Sequence, residues 1–350
     1  MDAADYADCR LCPRACGADR RAGQHGVCGE GAECRVAHTG LHFGEEPPLS
    51  GTRGSGTIFF SGCSSRCFFC QNHQISVEGI GDTVSPEALY HRARQLLDAG
   101  AHNLNFVTPD HFWPHAEALA RRLRAEGCDA PLVFNGSGYH APALLRRAAP
   151  WIDIFLPDVK FADGALAREA MGDANYPEIA LAALDAMIEA RGFLEPWDPS
   201  GRTPARQGVL VRHLVLPGEV PNSLRALERL REAFGPYLPL SVMSQFRPTP
   251  GCVRRGRFTR PVSAGEYTAV REHVRALGFR NVFIQGAPEA DAPYLPDFAR
   301  AVPFAAHAQD RATDTSSPEA FPSSSRPSSS RSTTTATTAV DDGTHRRRNP

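Results

Sequence analysis

Between about residue 51 and residue 300, short apolar segments alternate with segments of helical periodicity. The apolar segments are rich in β-branched and aromatic residues, which is typical of strands buried on both faces of a sheet. They predict strands at 57–61, 104–107, 132–135, 152–156, 209–216 and 240–243, with a further candidate at 282–285. Repeated strand–helix units imply an α/β fold with a parallel sheet. Six units are too few for a complete eight-stranded barrel, so a partial barrel and an open doubly wound sheet both fit.

Capping residues delimit three of the helices between these strands. A Ser-Pro pair is a start signal, a Ser with Glu three positions later forms a capping box, and a following Gly is a stop signal. The predicted boundaries are Ser85 with Gly100, Asn222 with Gly235, and Ser263 with Gly278.

The composition divides the chain into three regions. Residues 1–50 form a Cys-rich extension, residues 51–300 form the strand–helix domain, and residues 306–350 are dominated by Ser, Thr, Pro and Arg. The last region cannot bury enough apolar surface to offset the entropy of ordering, so it is predicted to be a disordered tail.

Charge and hydropathy exclude several classes of protein. The formal net charge is −1, whereas nucleic-acid binders and proteins of anionic membranes usually carry a basic excess. The acidic N-terminus does not resemble a secretory signal, and no apolar run approaches the ~18 residues of a membrane span. We therefore expect a cytoplasmic protein with neither nucleic acid nor membrane as partner.

Eight of the ten cysteines lie in the first 70 residues, and three of them share a short loop after the first predicted strand. Cys63, Cys67 and Cys70 have the spacing C-x3-C-x2-C, which can wrap one cubane with each thiolate on a different iron. Three thiolates leave the fourth iron open to a substrate. The spacing also admits a structural zinc site completed by His73, or three thiols without metal.

Four further cysteines lie within twenty residues near the N-terminus. Cys9, Cys12, Cys16 and Cys28 could close around a second metal, either zinc as a structural anchor or an iron–sulfur cluster as an electron relay. Free thiols in a mobile segment are the alternative. Four other residues are interpreted as spectators or free thiols: His25, Cys34, Cys128 and Cys252.

The three-cysteine loop, with Phe69 before its last cysteine and Gly62 before its first, resembles the signature of the radical S-adenosylmethionine (SAM) superfamily. The resemblance implies a partial, six-unit TIM-like barrel, a [4Fe–4S] cluster, and SAM bound to the open iron and cleaved to a 5′-deoxyadenosyl radical. It also implies a low-potential electron donor of the flavodoxin or ferredoxin type. Further stretches resemble an uncharacterised branch related to pyruvate formate-lyase activating enzymes: 44–48, 54–57, 70–72, 107–109, 135–139, 158–160, 211–218 and 243–245.

Polar residues that follow the predicted strands are candidates for the SAM site, since ligands bind at the carboxyl ends of parallel strands. By resemblance to activating enzymes, Asp158, Lys160 and Arg212 contact SAM. Other candidates at or near strand ends are Asn72, Thr108, Asn135, Ser137 and His213. The Gly-Gly-Glu stretch common in the superfamily is absent: residues 107–110 read Val-Thr-Pro-Asp, so Thr108 or main chain must replace it. Residues that either line a substrate pocket or merely pack are His111, Trp113, Tyr139 and His213.

The resulting hypothesis is a radical SAM oxidoreductase that abstracts hydrogen, of the kind that installs a glycyl radical on a partner protein. One rival is a non-catalytic iron–sulfur or zinc protein for electron transfer or assembly. A second rival modifies a small molecule by the same radical and predicts an enclosed pocket instead of a groove that admits a peptide.

Overall fold

The computed structural model describes residues 3–286, 295–304 and 319–320, so the predicted tail lies outside the described residues except for two positions. The strands are β1 (Arg35–His42), β2 (Ser55–Phe60), β3 (Asp82–Thr83), β4 (Leu104–Val107), β5 (Leu132–Gly136), β6 (Ile154–Pro157), β7 (Gly208–Val209), β8 (Val211–Leu214), β9 (Leu240–Met243), β10 (Val282–Ile284) and β11 (Glu319–Ala320). The helices are α1 (Pro47–Ser50), α2 (His73–Ser76), α3 (Pro86–Asp98), α4 (Trp113–Ala125), α5 (Pro142–Ala148), α6 (Gly164–Met171), α7 (Tyr176–Arg191), α8 (Val220–Phe234), α9 (Pro250–Arg255) and α10 (Ala264–Ala276). Short 3-10 turns occupy Ala3–Tyr6, Arg20–Ala22 and Asp110–Phe112.

The central strands run parallel in the order β2, β4, β5, β6, β7. A second parallel set contains β8, β9 and β10. The two sets meet at Leu210, whose backbone N–H donates to Phe155, and at a parallel bridge between Asp158 and Arg212. This arrangement confirms the predicted α/β fold with a partial barrel. Each predicted strand is present, although 209–216 is divided into β7 and β8.

Strand β1 was not predicted from the sequence. It pairs antiparallel with β2 and with the short β3, and so extends the sheet beyond its parallel part. Most of its residues are only half buried, and it contains Gly40 and two histidines. The sequence of β1 therefore shows neither an apolar run nor a clear alternation of apolar and polar residues. Its hydrogen bonds to β2 and β3, more than its own side chains, define it as a strand.

Two of the three predicted helix starts are confirmed. Ser85 caps α3 by accepting from the Ala88 N–H, and Ser263 and Glu266 form the capping box of α10. The third prediction was wrong, because α8 begins at Val220, two residues before Asn222. The buried Asn222 side chain instead accepts from the Ala162 N–H at 2.9 Å and donates to the Lys160 carbonyl at 3.0 Å. A side chain that looked like a helix cap thus fixes the loop after β6.

The two faces of the parallel strands have different surroundings. Ile58, Phe106, Phe134 and Phe155 form one row across β2, β4, β5 and β6, and they are fully buried in the main core together with the helices. Because successive side chains of a strand point to opposite faces, the alternate positions, among them Asn135, face the other side. None of the helices within the described ranges is long and apolar enough to cross a bilayer.

Candidate functional site

The three-cysteine loop leaves the carboxyl end of β2 and is held by main-chain hydrogen bonds. Gly62 donates to Ile75 at 2.8 Å, Cys63 donates to Cys28 at 3.2 Å, and Phe68 donates to Ala170 at 3.2 Å. Gly62 has φ +76°, and a Cβ there would lie 2.4 Å from Cγ of Glu30. Only glycine fits this turn, since both its left-handed backbone and the close approach exclude a side chain. Main-chain hydrogen bonds and the Gly62 turn therefore define the conformation of the loop.

Two serines inside the loop fasten it to neighbouring strand ends. The Ser64 hydroxyl donates to Oδ2 of the buried Asp110 at 2.7 Å, and the Ser65 hydroxyl shares a 2.7 Å hydrogen bond with Ser137. Asp110 follows β4 and Ser137 follows β5. The loop therefore lies across the carboxyl ends of three adjacent parallel strands, where this fold binds its ligands.

One cavity at these strand ends is lined by all three cysteines of the loop. Seven of the eight predicted cofactor-binding residues also line it: Asn72, Thr108, Asn135, Ser137, Asp158, Lys160 and Arg212. These seven residues lie between positions 72 and 212 of the chain, and the strand ends bring them to one place. Several lining side chains are partly exposed, so the cavity communicates with solvent.

His213, the eighth predicted residue, does not line the cavity. It follows Arg212 directly in β8, and its fully buried ring points to the opposite face, where Nδ1 bonds the Val159 carbonyl at 2.7 Å. His111, Trp113 and Tyr139 also lie outside the cavity wall and are buried. Tyr139, for example, stacks on Tyr176 and bonds Asp173 through its hydroxyl. These residues pack in the interior, which is the second of the two roles predicted for them.

An ion network holds the polar side of the cavity together. Asp158 accepts from Nε of Arg212 at 2.9 Å through Oδ1 and from Lys160 through Oδ2. Burial opposes ionisation of Asp158, but the adjacent Lys160 and Arg212 charges outweigh it and keep the pKa of Asp158 below its usual value. The pKa of Lys160 is raised, because Asp158 overcomes the effect of burial. All three groups therefore stay charged at neutral pH.

Glu45 and Asn105 belong to the same network, and sequence reasoning gave neither a role. Oε2 of Glu45 lies 3.3 Å from Arg212, and its Oε1 accepts from Asn105 at 3.0 Å and from Asn135 at 3.3 Å. Burial raises the pKa of Glu45 despite the nearby Arg212. The sequence does contain one signal for this contact. Asn105 is a polar residue within an otherwise apolar strand, and such a residue needs a buried hydrogen-bond partner.

The donor set at the loop fits an iron–sulfur cluster. Three sulfurs of one loop face one cavity, and burial raises the pKa of Cys63 to about 12, so metal binding would have to displace protons from these thiols. Within residues 3–286 and 295–304, no three His, Cys, Asp or Glu side chains are arranged around a single-ion site. An iron–sulfur cubane does not require its ligands to converge on one ion, because each thiolate binds a different iron. His73, the fourth ligand of the zinc alternative, is outside the cavity and pairs with Glu78 at 2.9 Å.

The sequence and the fold together define an enzyme class. The family model for the radical SAM superfamily matches residues 57–231, which is half of the chain. The chain belongs to the radical SAM superfamily and is a radical SAM enzyme. Enzymes of this family bind a [4Fe–4S] cluster and SAM, and a reductant supplies the electron that cleaves SAM to a radical.

The chain is similar to one sequence relative and to several solved structures. It is 26% identical over 252 residues to the uncharacterized protein MJ0674 of Methanocaldococcus jannaschii, covering 69% of this chain and 67% of that protein. Among solved structures it resembles methylornithine synthase PylB, with 16% identity, a TM-score of 0.44 and coverage of 63% of this chain and 60% of that one. It also resembles the FeFe-hydrogenase maturase HydG from Carboxydothermus hydrogenoformans, with 16% identity, a TM-score of 0.44 and coverage of 65% and 52%. The chain thus spans between half and two thirds of these two solved chains.

Proposed function

We propose that Cys63, Cys67 and Cys70 hold the [4Fe–4S] cluster, and that the enzyme abstracts hydrogen from a protein, as glycyl-radical activating enzymes do. One observation carries the proposal: these cysteines and the Asp158–Lys160–Arg212 network line the same cavity at the carboxyl ends of the parallel strands. The cluster supplies the low-potential electron and the open iron for SAM, and the side chains supply the binding site around it.

The network offers the complementary groups that SAM needs. Lys160 and Arg212 present cationic donors to the methionine carboxylate, and Asp158 and Asn135 present acceptors to amino or ribose hydroxyl groups. Asn72, Thr108 and Ser137 complete the polar wall. Thr108 adopts φ +58°, which is unusual for a β-branched residue, and its backbone N–H donates to the Asn135 carbonyl at 2.8 Å. This conformation supports a role at the position where the Gly-Gly-Glu stretch is missing, because strained backbone often marks a binding site.

The protein substrate is supported by the resemblance to activating enzymes and by the shape of the cavity. Gln71, Asn72 and Gln245 line its wall and are only half buried, so the site is not sealed from solvent. A peptide loop could reach such a site, whereas a small-molecule radical enzyme is expected to enclose its substrate. We further propose a flavodoxin- or ferredoxin-like protein as the electron donor.

The test is SAM cleavage by anaerobically reconstituted, dithionite-reduced protein. We expect 5′-deoxyadenosine from the wild type and from Cys128→Ala, a thiol outside the cavity, but none from Cys63→Ala. Equal product from Cys63→Ala and wild type would overturn the assignment of the cluster ligands. Incubation with a glycyl-radical enzyme as substrate should produce a glycyl-radical EPR doublet. If 5′-deoxyadenosine forms without that doublet on any such protein, the activase part of the proposal fails and the SAM site stands.

A further inference from the structure

The N-terminal region contains a buried positive charge without a carboxylate partner. Arg20 is 1% exposed, and its guanidinium donates to the carbonyl of His111 at 2.6 Å and to that of Gly31 at 2.5 and 3.0 Å. It also lies 4.4 Å from the centre of the Tyr6 ring. No carboxylate of the described residues forms an ion pair with it. A buried charge normally requires an opposite charge, since taking an ion out of water without a partner is costly.

Cysteine sulfurs lie close to the Arg20 side chain. Nη1 of Arg20 lies 3.7 Å from Sγ of Cys9. A Cβ built on Gly26 would lie 3.1 Å from Sγ of Cys28, 3.5 Å from Sγ of Cys16 and 3.9 Å from Cδ of Arg20. Both sulfurs and the arginine side chain therefore lie within 4 Å of the position that a side chain at Gly26 would occupy. Cys12 is buried and lies within electrostatic range of Cys9 and Cys28.

We propose that Cys9, Cys12, Cys16 and Cys28 bind a second iron–sulfur cluster, and that Arg20 is its buried counter-charge. A cluster with four thiolate ligands is an anion, so it supplies the negative charge that Arg20 lacks. Zinc would need all four sulfurs about 2.3 Å from one point. The described side chains show no such single-ion arrangement, whereas a cubane places each sulfur on a separate iron.

The position of this centre fits an electron relay, an assignment that rests on the proposed function. The Cys28 carbonyl accepts the 3.2 Å hydrogen bond from the backbone N–H of Cys63, so a ligand of each centre is joined to the other directly. Cys16 is exposed, whereas Cys9, Cys12 and Cys28 are buried. Electrons from a low-potential one-electron protein donor would thus arrive near Cys16 and leave near Cys28. One electron would pass inward, which would oxidise the second cluster and reduce the one at Cys63. The protein donor would then reduce the second cluster again, without transfer of atoms.

Iron and sulfide content of the reconstituted full chain tests the site. With two cubanes we expect about eight irons per chain in the wild type and in Cys128→Ser, and about four in Cys16→Ser. Gly26→Ala keeps every thiol but places a Cβ 3.1 Å from Sγ of Cys28 and in contact with Sγ of Cys16, and should also lower iron to about four. In both variants SAM should still perturb the EPR signal of the remaining cluster. Wild-type content of about four irons, or stoichiometric zinc lost in Cys16→Ser, would overturn the proposal, whereas loss of the SAM effect alone would count against the proposed SAM site.

The proposed role of Arg20 as counter-charge is tested separately, by the midpoint potential of the second cluster. Removing a nearby positive charge makes reduction of an anionic cluster harder, so Arg20→Gln should shift the EPR-monitored midpoint potential of the second cluster to a more negative value. Arg20→Lys should restore most of the shift, and Arg21→Gln, an exposed neighbour, should cause none. An unchanged potential in a folded Arg20→Gln protein would contradict the role of Arg20. If Arg20→Gln does not fold, the Gly26→Ala and Cys16→Ser iron contents still decide whether the site exists.

Discussion

Arg212 donates from Nε to Oδ1 of Asp158 at 2.9 Å, although the two residues are 54 positions apart in the chain. The contact bridges the carboxyl end of β6 and strand β8, where the two parallel sets of strands meet. Lys160 occupies the second oxygen of Asp158, and Glu45 approaches Arg212 from the region before β2. The Asp158–Arg212 ion pair therefore lies both where the two parallel sets of strands meet and in the wall of the cavity.

Removing Arg212 should destabilise the protein strongly. Arg212→Gln leaves the buried Glu45 without its cation and takes one of two cations from Asp158, so the free energy of unfolding should fall by about 3–5 kcal/mol. Urea unfolding of metal-free protein measures this. The control is Arg225→Gln, which breaks the exposed pair with Asp163 and should cost less than about 1 kcal/mol. Equal effects of the two variants would show that the network does not stabilise the fold.

Gly138 should be intolerant of any side chain. It has φ +76°, and a Cβ there would lie 2.0 Å from the carbonyl oxygen of Asp158. Gly138→Ala therefore adds a backbone clash to the left-handed strain and must move the strand end that carries Asp158. Gly172→Ala is the matched control, since its φ is +81° and nothing lies within 4 Å of the new Cβ. We expect the control to cost about 1 kcal/mol and Gly138→Ala clearly more by urea unfolding. Similar losses of unfolding free energy in the two variants would mean that the backbone near Asp158 shifts readily to accommodate the new Cβ.

The parallel strands could be predicted because burial on both faces leaves an uninterrupted apolar run. Phe106 and Phe134 lie in such runs, and their strands were found with at most one residue of error. Strand β1 has no comparable pattern, because its hydrogen bonds to β2 define it more than its own side chains do. The cysteine loop was found from spacing alone, since three thiolates around one cubane need a short, fixed separation.

Long-range charge contacts were the part of the site that the sequence could not specify. Arg20 and Arg21 are adjacent and chemically identical, yet Arg20 is buried and Arg21 is exposed. The difference depends on the His111 carbonyl, 91 positions later, and on the stacking with Tyr6. Glu45 likewise gains its partner only when β8 brings Arg212 beside it. The position of His213 could have been predicted from the sequence. Side chains alternate along a strand, so His213, which directly follows Arg212, must point to the opposite face.

The Ser64 hydroxyl should matter more than that of its neighbour Ser65. Both side chains are buried, but Ser64 donates to the carboxylate of Asp110, whereas Ser65 bonds the neutral hydroxyl of Ser137. Ser64→Ala should cost about 1.5–3 kcal/mol in free energy of unfolding, and Ser65→Ala about 1 kcal/mol, because a hydrogen bond to a charged acceptor is stronger. Urea unfolding of metal-free protein gives both values. The reverse order would show that Asp110 does not anchor the loop.

His213 should make the protein sensitive to mild acid. Burial lowers the pKa of His213 to about 4, its Nδ1 bonds the Val159 carbonyl, and its nearest charges are Lys160 and Asp158. The unfolded chain takes up a proton near pH 6.5 and the folded chain only near pH 4, so the stability present above pH 6.5 is lost as pH falls through this window. The loss amounts to roughly 1.4 kcal/mol per pH unit, or about 2 kcal/mol at pH 5. Urea unfolding at pH 7 and pH 5 should show that His213→Asn removes this decrement, whereas the exposed His91→Asn retains it. An identical pH dependence in His213→Asn and wild type would mean that His213 is protonated in the folded protein at pH 5.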